Sequence, residues 1–124
     1  DEYCAARVRV ADFYDKAFAG NSKVTTPARE KKSSHVFHQY TLVLNGPDRA
    51  AMRDFLATKG IPSMIYYPVP LHLQKAYTDP RYKEGDFPVT EHLCKNVISL
   101  PMHTEMSEAD MEYIVNGVLE FLNK

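Results

Sequence analysis

The chain has 124 residues, one domain by length and long enough to bury a real core. Its 44% hydrophobic and 25% charged content is that of an ordinary globular protein, and a formal net charge of −1 leaves no broad electrostatic case for nucleic acid or an anionic membrane as partner. No apolar run reaches the length of a membrane span, the opening residues lack a signal-peptide pattern, and Cys4 and Cys94 make neither a metal-type pair nor a disulfide framework; reduced thiols in a cytoplasmic protein are therefore expected.

The chain opens at Asp1 directly in helical sequence with no methionine, which predicts a piece of a longer protein. Residues 2–19 predict a helix, with Ala6, Val10, Phe13, Tyr14, Ala17 and Phe18 at helical spacing and Gly20-Asn21 closing it. Residues 21–34 hold Asn, Ser, Thr, Pro and a charged run from Arg29 to Lys32, and predict an exposed connection. Residues 35–44 alternate as a strand, with Val36, His38, Tyr40, Leu42 and Leu44 on one face. Asn45-Gly46-Pro47-Asp48 opens a second helix, whose buried stripe is Ala51, Met52, Phe55 and Leu56, and Gly60 closes it.

The run at 61–67, with Ile61, Met64, Ile65, Tyr66 and Tyr67, predicts a second strand. Pro68 and Pro70 must end it, because each lacks a backbone N–H and fixes φ. The break is followed by an imidazole at His72 and a carboxamide at Gln74, a rigid turn carrying aromatic and hydrogen-bonding groups. The bland alternative is a surface turn with capping polar groups. Thr90 predicts the cap of a short helix reaching Asn96, and Val97-Ile98-Ser99-Leu100 a short strand stopped by Pro101. Ser107 and Asp110 have the form of a capping box before a last helix striped by Met111, Ile114, Val115, Val118, Leu119 and Leu122. Gly117 inside that helix costs about 1 kcal/mol against alanine unless close packing needs it. The order predicts an α+β domain, roughly a three-stranded sheet with helices packed on it.

Other chemistries find little support. His35 and His38 point to opposite faces of a strand, so they cannot share a metal ion without a bend. His92 and Cys94 are two apart on a predicted helix and do not face each other, and the sequence holds no Gly-x-Ser-x-Gly or phosphate-cradling glycine loop.

Gly60-Ile61-Pro62, the run Tyr66-Tyr67-Pro68-Val69-Pro70-Leu71-His72-Leu73-Gln74 and Ala76-Tyr77 resemble the signature loop of the DegT/DnrJ/EryC1/StrS aminotransferases. Residues 35–40, 85–91 and 99–103 resemble further segments of that family in the same order. The resemblance covers essentially the whole chain and only the C-terminal part of such an enzyme. It implies the small C-terminal domain of a fold-type-I transferase dependent on pyridoxal phosphate (PLP). Residues 1–34 would then be an interdomain helix and linker, and 35–124 the small domain.

The resemblance further implies a homodimeric, cytoplasmic parent that moves an amino group, with glutamate as donor, onto a nucleotide-linked keto sugar. The Tyr-Pro-x-Pro-Leu-His-x-Gln form is similar to the branch that makes 3-amino sugars. In the family the Schiff-base lysine, the carboxylate facing the pyridinium nitrogen and the phosphate cup lie in the large domain, so this chain is expected to bind no PLP and to be inactive alone. Its implied role is substrate recognition through Tyr66, Tyr67, His72 and Gln74, with His38 and Tyr40 as further substrate-binding residues or as polar groups satisfied within the sheet. The sequence departs from the family at Tyr66, where many relatives carry histidine. With the large domain missing, a monomer or weak dimer with an exposed apolar patch around Val10, Phe13 and Tyr14 is expected. The alternative is a binding or regulatory protein on the same fold, distinguished by whether the parent keeps the lysine.

Overall fold

Val10, Ala11, Tyr14 and Phe18 form one buried stripe of α1 (Glu2–Phe18) in the computed structural model, which describes residues 1–124. Six further strands and helices follow: β1 (Val24–Thr25), β2 (Tyr40–Leu44), α2 (Arg49–Thr58), α3 (Pro88–Asn96), β3 (Val97–Leu100) and α4 (Glu108–Leu122), with two single 3₁₀ turns, Leu71–Leu73 and Lys75–Tyr77, between α2 and α3. The sheet runs β1-β2-β3 and is antiparallel throughout, with Val24 opposite Leu44 and Tyr40 opposite Leu100. One core joins the stripes of α1, α2 and α4 to Tyr40, Leu42 and Leu44 of β2. The fold class is the expected α+β.

The apolar patch expected on α1 is not exposed. Val10 and Tyr14 are fully buried and Phe13 is half-buried, because α1 packs against α4 inside the common core. The Tyr14 hydroxyl also donates to the carbonyl of Pro101 at 2.9 Å.

The three strands are not the three expected. Residues 61–67 form no strand: Pro62 and Pro68 interrupt the run, and only Met64 pairs, through Met64 N–H to Ser99 O at 3.0 Å and Ser99 N–H to Met64 O at 2.7 Å. The third strand lies instead within the expected loop 21–34, where Val24 is buried against β2. The strand expected from residue 35 begins at Tyr40. Phe37 takes the left-handed region at φ 47°, which swings its ring into the core and breaks the alternation. Its N–H donates to His35 Nδ1 at 2.9 Å, and Arg7 donates to the carbonyls of Phe37 and His38. From Tyr40 onward the alternation holds, buried at Tyr40, Leu42 and Leu44.

The helix termini follow their local chemistry. Asp48 accepts the N–H of Ala51 at 2.8 Å, and Gly60 closes α2 at φ +69°, although Ala51 itself is exposed. Ser107 and Asp110 form the reciprocal capping box. The cap expected at Thr90 is displaced: α3 starts at Pro88, whose missing N–H suits a first turn. Gly117 is explained by packing, since a Cβ there would lie 2.6 Å from Ile61 Cδ1.

Candidate functional site

Residues 62–91 leave the sheet after Met64 and return at α3. Prolines at 68 and 70 hold the outward limb extended, and Tyr67, Val69 and Leu71 stand exposed on it, with Tyr66 partly so. The peptide between Tyr66 and Tyr67 is cis. The Gln74 side chain donates to Val69 O at 3.2 Å and closes the limb into a tight turn.

Inside this turn His72 faces inward. Its side chain is 8% exposed, and Nε2 lies 3.0 Å from Oε1 of Glu91, whose side chain is 10% exposed. The same carboxylate accepts the Gly85 N–H on both oxygens, at 2.8 and 3.0 Å, and the Phe87 N–H at 3.3 Å. Burial opposes the charge on Glu91, but the hydrogen bonds from Gly85, Phe87 and His72 outweigh it and hold the carboxyl below the ordinary glutamate range. One carboxylate thus ties together the His72 turn, the 85–87 loop and the first turn of α3.

The residues expected to bind substrate fall into three places. His38 and Tyr66 meet in a cleft of about 260 Å³ with Met64, Ser99 and Met102. His72 lines a different cleft, of about 390 Å³, with Leu71, Tyr77, Asp79, Tyr82 and Phe87. Tyr67 and Gln74 lie together on the outer surface with Val69 and Thr90. Tyr40 joins none of them. It is fully buried and its hydroxyl donates to Asp15 Oδ1 at 2.6 Å, so in this chain it is tied to its own first helix. His103 accepts the Glu105 N–H at 3.2 Å in a loop turn and caps no helix. Sequence reasoning missed Glu91. Its signal was its place at the end of the 85–91 segment that resembles the family, which named no partner for it.

No lysine lines either cleft. Lys23 donates to the carbonyl of Leu122, Lys59 pairs with Glu120 at 2.8 Å, and Lys124 lies 3.9 Å from the centre of the Phe55 ring. No helix is long and apolar enough to cross a membrane.

The profile of the DegT/DnrJ/EryC1/StrS aminotransferase family matches residues 1–119. The chain belongs to this family. A family relative from Geobacillus stearothermophilus, named a pleiotropic regulatory protein, is 43% identical over 98 residues, which is 79% of this chain and 26% of that protein. A UDP-N-acetyl-3-dehydro-alpha-D-glucosamine 3-aminotransferase from Acidithiobacillus ferrooxidans is 36% identical over 121 residues, 98% of this chain and 31% of that protein. Among solved structures, S. venezuelae DesV in complex with a ketimine intermediate superposes over 100% of this chain and 33% of its own, with a TM-score of 0.93 and 27% identity. A DegT DnrJ EryC1 StrS aminotransferase from Brucella abortus gives 0.85 at 35% identity, over 98% of this chain and 32% of its own. The chain therefore spans between a quarter and a third of the length of these DegT-family proteins.

Proposed function

We propose that this chain is the substrate-recognition portion of a PLP-dependent aminotransferase that transfers an amino group, from glutamate, to a nucleotide-linked 3-keto sugar. The observation that carries the reading is the proline-braced limb with Tyr66 and Tyr67 displayed on it, running into the turn whose His72 lines the adjoining cleft. Phenols on a fixed backbone donate to sugar hydroxyls or phosphate, and their faces cover a sugar ring. The UDP- and dTDP-sugar enzymes among the relatives supply the substrate class. In this reading residues 1–34 are the connecting helix and linker, 35–124 are the small domain, and the whole enzyme works as a cytoplasmic homodimer.

The residues present do not fit PLP itself. The cofactor needs an enclosed amine for its aldehyde and converging donors for its phosphate, whereas no lysine of the chain is buried and none lines the His72 or the His38 cleft. PLP belongs to the longer protein, and this chain alone is inactive. Titration with PLP, borohydride reduction and peptide mapping test this half. A stoichiometric label on one lysine of this chain at low PLP concentration overturns it.

The catalytic half is tested in the longer protein with a UDP-linked 3-keto sugar and glutamate. His72→Ala is expected to raise KM for the keto sugar while the PLP absorbance stays intact, since one lost hydrogen bond costs roughly 0.5–1.5 kcal/mol. A second reading, a regulatory protein without chemistry, draws on the printed name of the Geobacillus relative. A longer protein with no cofactor absorbance and no amination decides for that reading.

A further inference from the structure

Glu91 is a nearly buried carboxylate to which the proposed chemistry assigns no part. An ionised carboxylate only accepts hydrogen bonds. It already accepts two backbone N–H groups, from Gly85 and Phe87. Any ring nitrogen 3.0 Å from its Oε1 must therefore carry a hydrogen, and that nitrogen is Nε2 of His72. The other ring nitrogen, Nδ1, has no protein partner and is not sealed from solvent. It belongs to the side chain that lines the cleft beside Tyr77, Tyr82 and Phe87.

We propose that Glu91 is the positioning residue of the recognition loop: by taking the Nε2 hydrogen of His72 it fixes the ring's orientation and tautomer, and leaves Nδ1 as the atom His72 offers to a ligand. On a neutral ring that atom is an acceptor, so its complement is a polar hydrogen, such as a sugar hydroxyl, and not a phosphate or carboxylate oxygen. The Phe87 ring, 4.7 Å from the imidazole, supports the same pose from the side. The recognition role rests on the proposed function; the assignment of the tautomer does not.

The two parts are tested separately. In the 124-residue chain labelled with nitrogen-15, imidazole correlation spectra at neutral pH should show His72 as the Nε2–H tautomer. In Glu91→Ala the preference should fall to the mixture of a free histidine, and in Glu91→Gln, which keeps an acceptor at the same place, it should persist. The backbone spectrum shows whether each variant folds. In the longer enzyme, Glu91→Ala should raise KM for the keto sugar about tenfold with kcat nearly unchanged and normal PLP absorbance, and Glu91→Gln should restore most of the loss. A wild-type ring carrying its hydrogen on Nδ1, or a Glu91→Ala spectrum identical to wild type at His72, overturns the assignment. A changed tautomer with unchanged KM overturns the recognition role of the loop instead.

Discussion

The Tyr40 hydroxyl donates to Asp15 Oδ1 at 2.6 Å and so fastens the first residue of β2 to the fourth turn of α1. Asp15 is also gripped by Arg29, through Nε at 3.0 Å and Nη2 at 2.6 Å, and Arg29 reaches Asp12 at 2.9 Å while its guanidinium lies 4.2 Å from the Phe37 ring centre. Tyr40→Phe should destabilise the chain by about 1 kcal/mol in urea unfolding, because Asp15 keeps Arg29 and some water. A loss no larger than experimental scatter would mean that the Tyr40–Asp15 bond is not formed in solution.

The phenols also set an alkaline limit. Burial pushes the Tyr14 hydroxyl above the tyrosine range; burial, and then the hydrogen bond to and charge of Asp15, do the same to Tyr40 against a smaller opposing pull from Arg29. A raised folded value means the native state holds its proton more tightly. The stabilisation is complete below the unfolded phenol value, about 10, and declines as pH rises above it. Stability followed against pH should fall on this limb, and the double variant Tyr14→Phe, Tyr40→Phe should flatten the fall.

On the acid side Glu91 gives a local transition. Its folded value is depressed, so its contribution is complete above the unfolded glutamate value, about 4.3, and is lost as pH falls through the lower folded one. Hydrogen exchange at the Gly85 and Phe87 amides should accelerate over that window while the β2–β3 amides stay protected. Equal loss at both places would show global unfolding and no separate loop transition.

Gly117 and Ile61 give a packing test. Gly117→Ala gains helix propensity of about 1 kcal/mol but pushes a methyl into Ile61 Cδ1. Overpacking of this kind costs about 1–3 kcal/mol, so the single variant should be less stable. Ile61→Val removes the offending carbon, and the double variant should recover most of the loss. Additive effects would place the two residues out of contact.

Much of this was legible in sequence because the elements carry long apolar stripes or capping chemistry: α1, α2 and α4 by spacing, α2 and α4 also by Asp48 and Ser107-Asp110. The sheet was legible only where alternation survives, at Tyr40–Leu44 and Val97–Leu100. β1 was invisible because two residues have no period, and Val24 is a strand residue only through its partner Leu44. Residues 61–67 misled because apolar content was read as pairing, whereas Met64 and Tyr67 are 53% and 71% exposed. The loop was recognisable by its motif. Its brace was not, since Glu91 lies 19 residues from His72 and the likeness of 85–91 to the family names no partner for it.

The lone pairing of Met64 with Ser99 has a consequence for self-association. β3 is buried along its whole length, and beyond β2 its free margin is the kind of surface on which another chain can add a strand. Met64 occupies that margin with two hydrogen bonds, and Pro62 on the same segment has no N–H with which to extend a ladder outward. Two residues thus act as a guard against intermolecular sheet growth, and the short bridge leaves the side chains after it free to face a ligand.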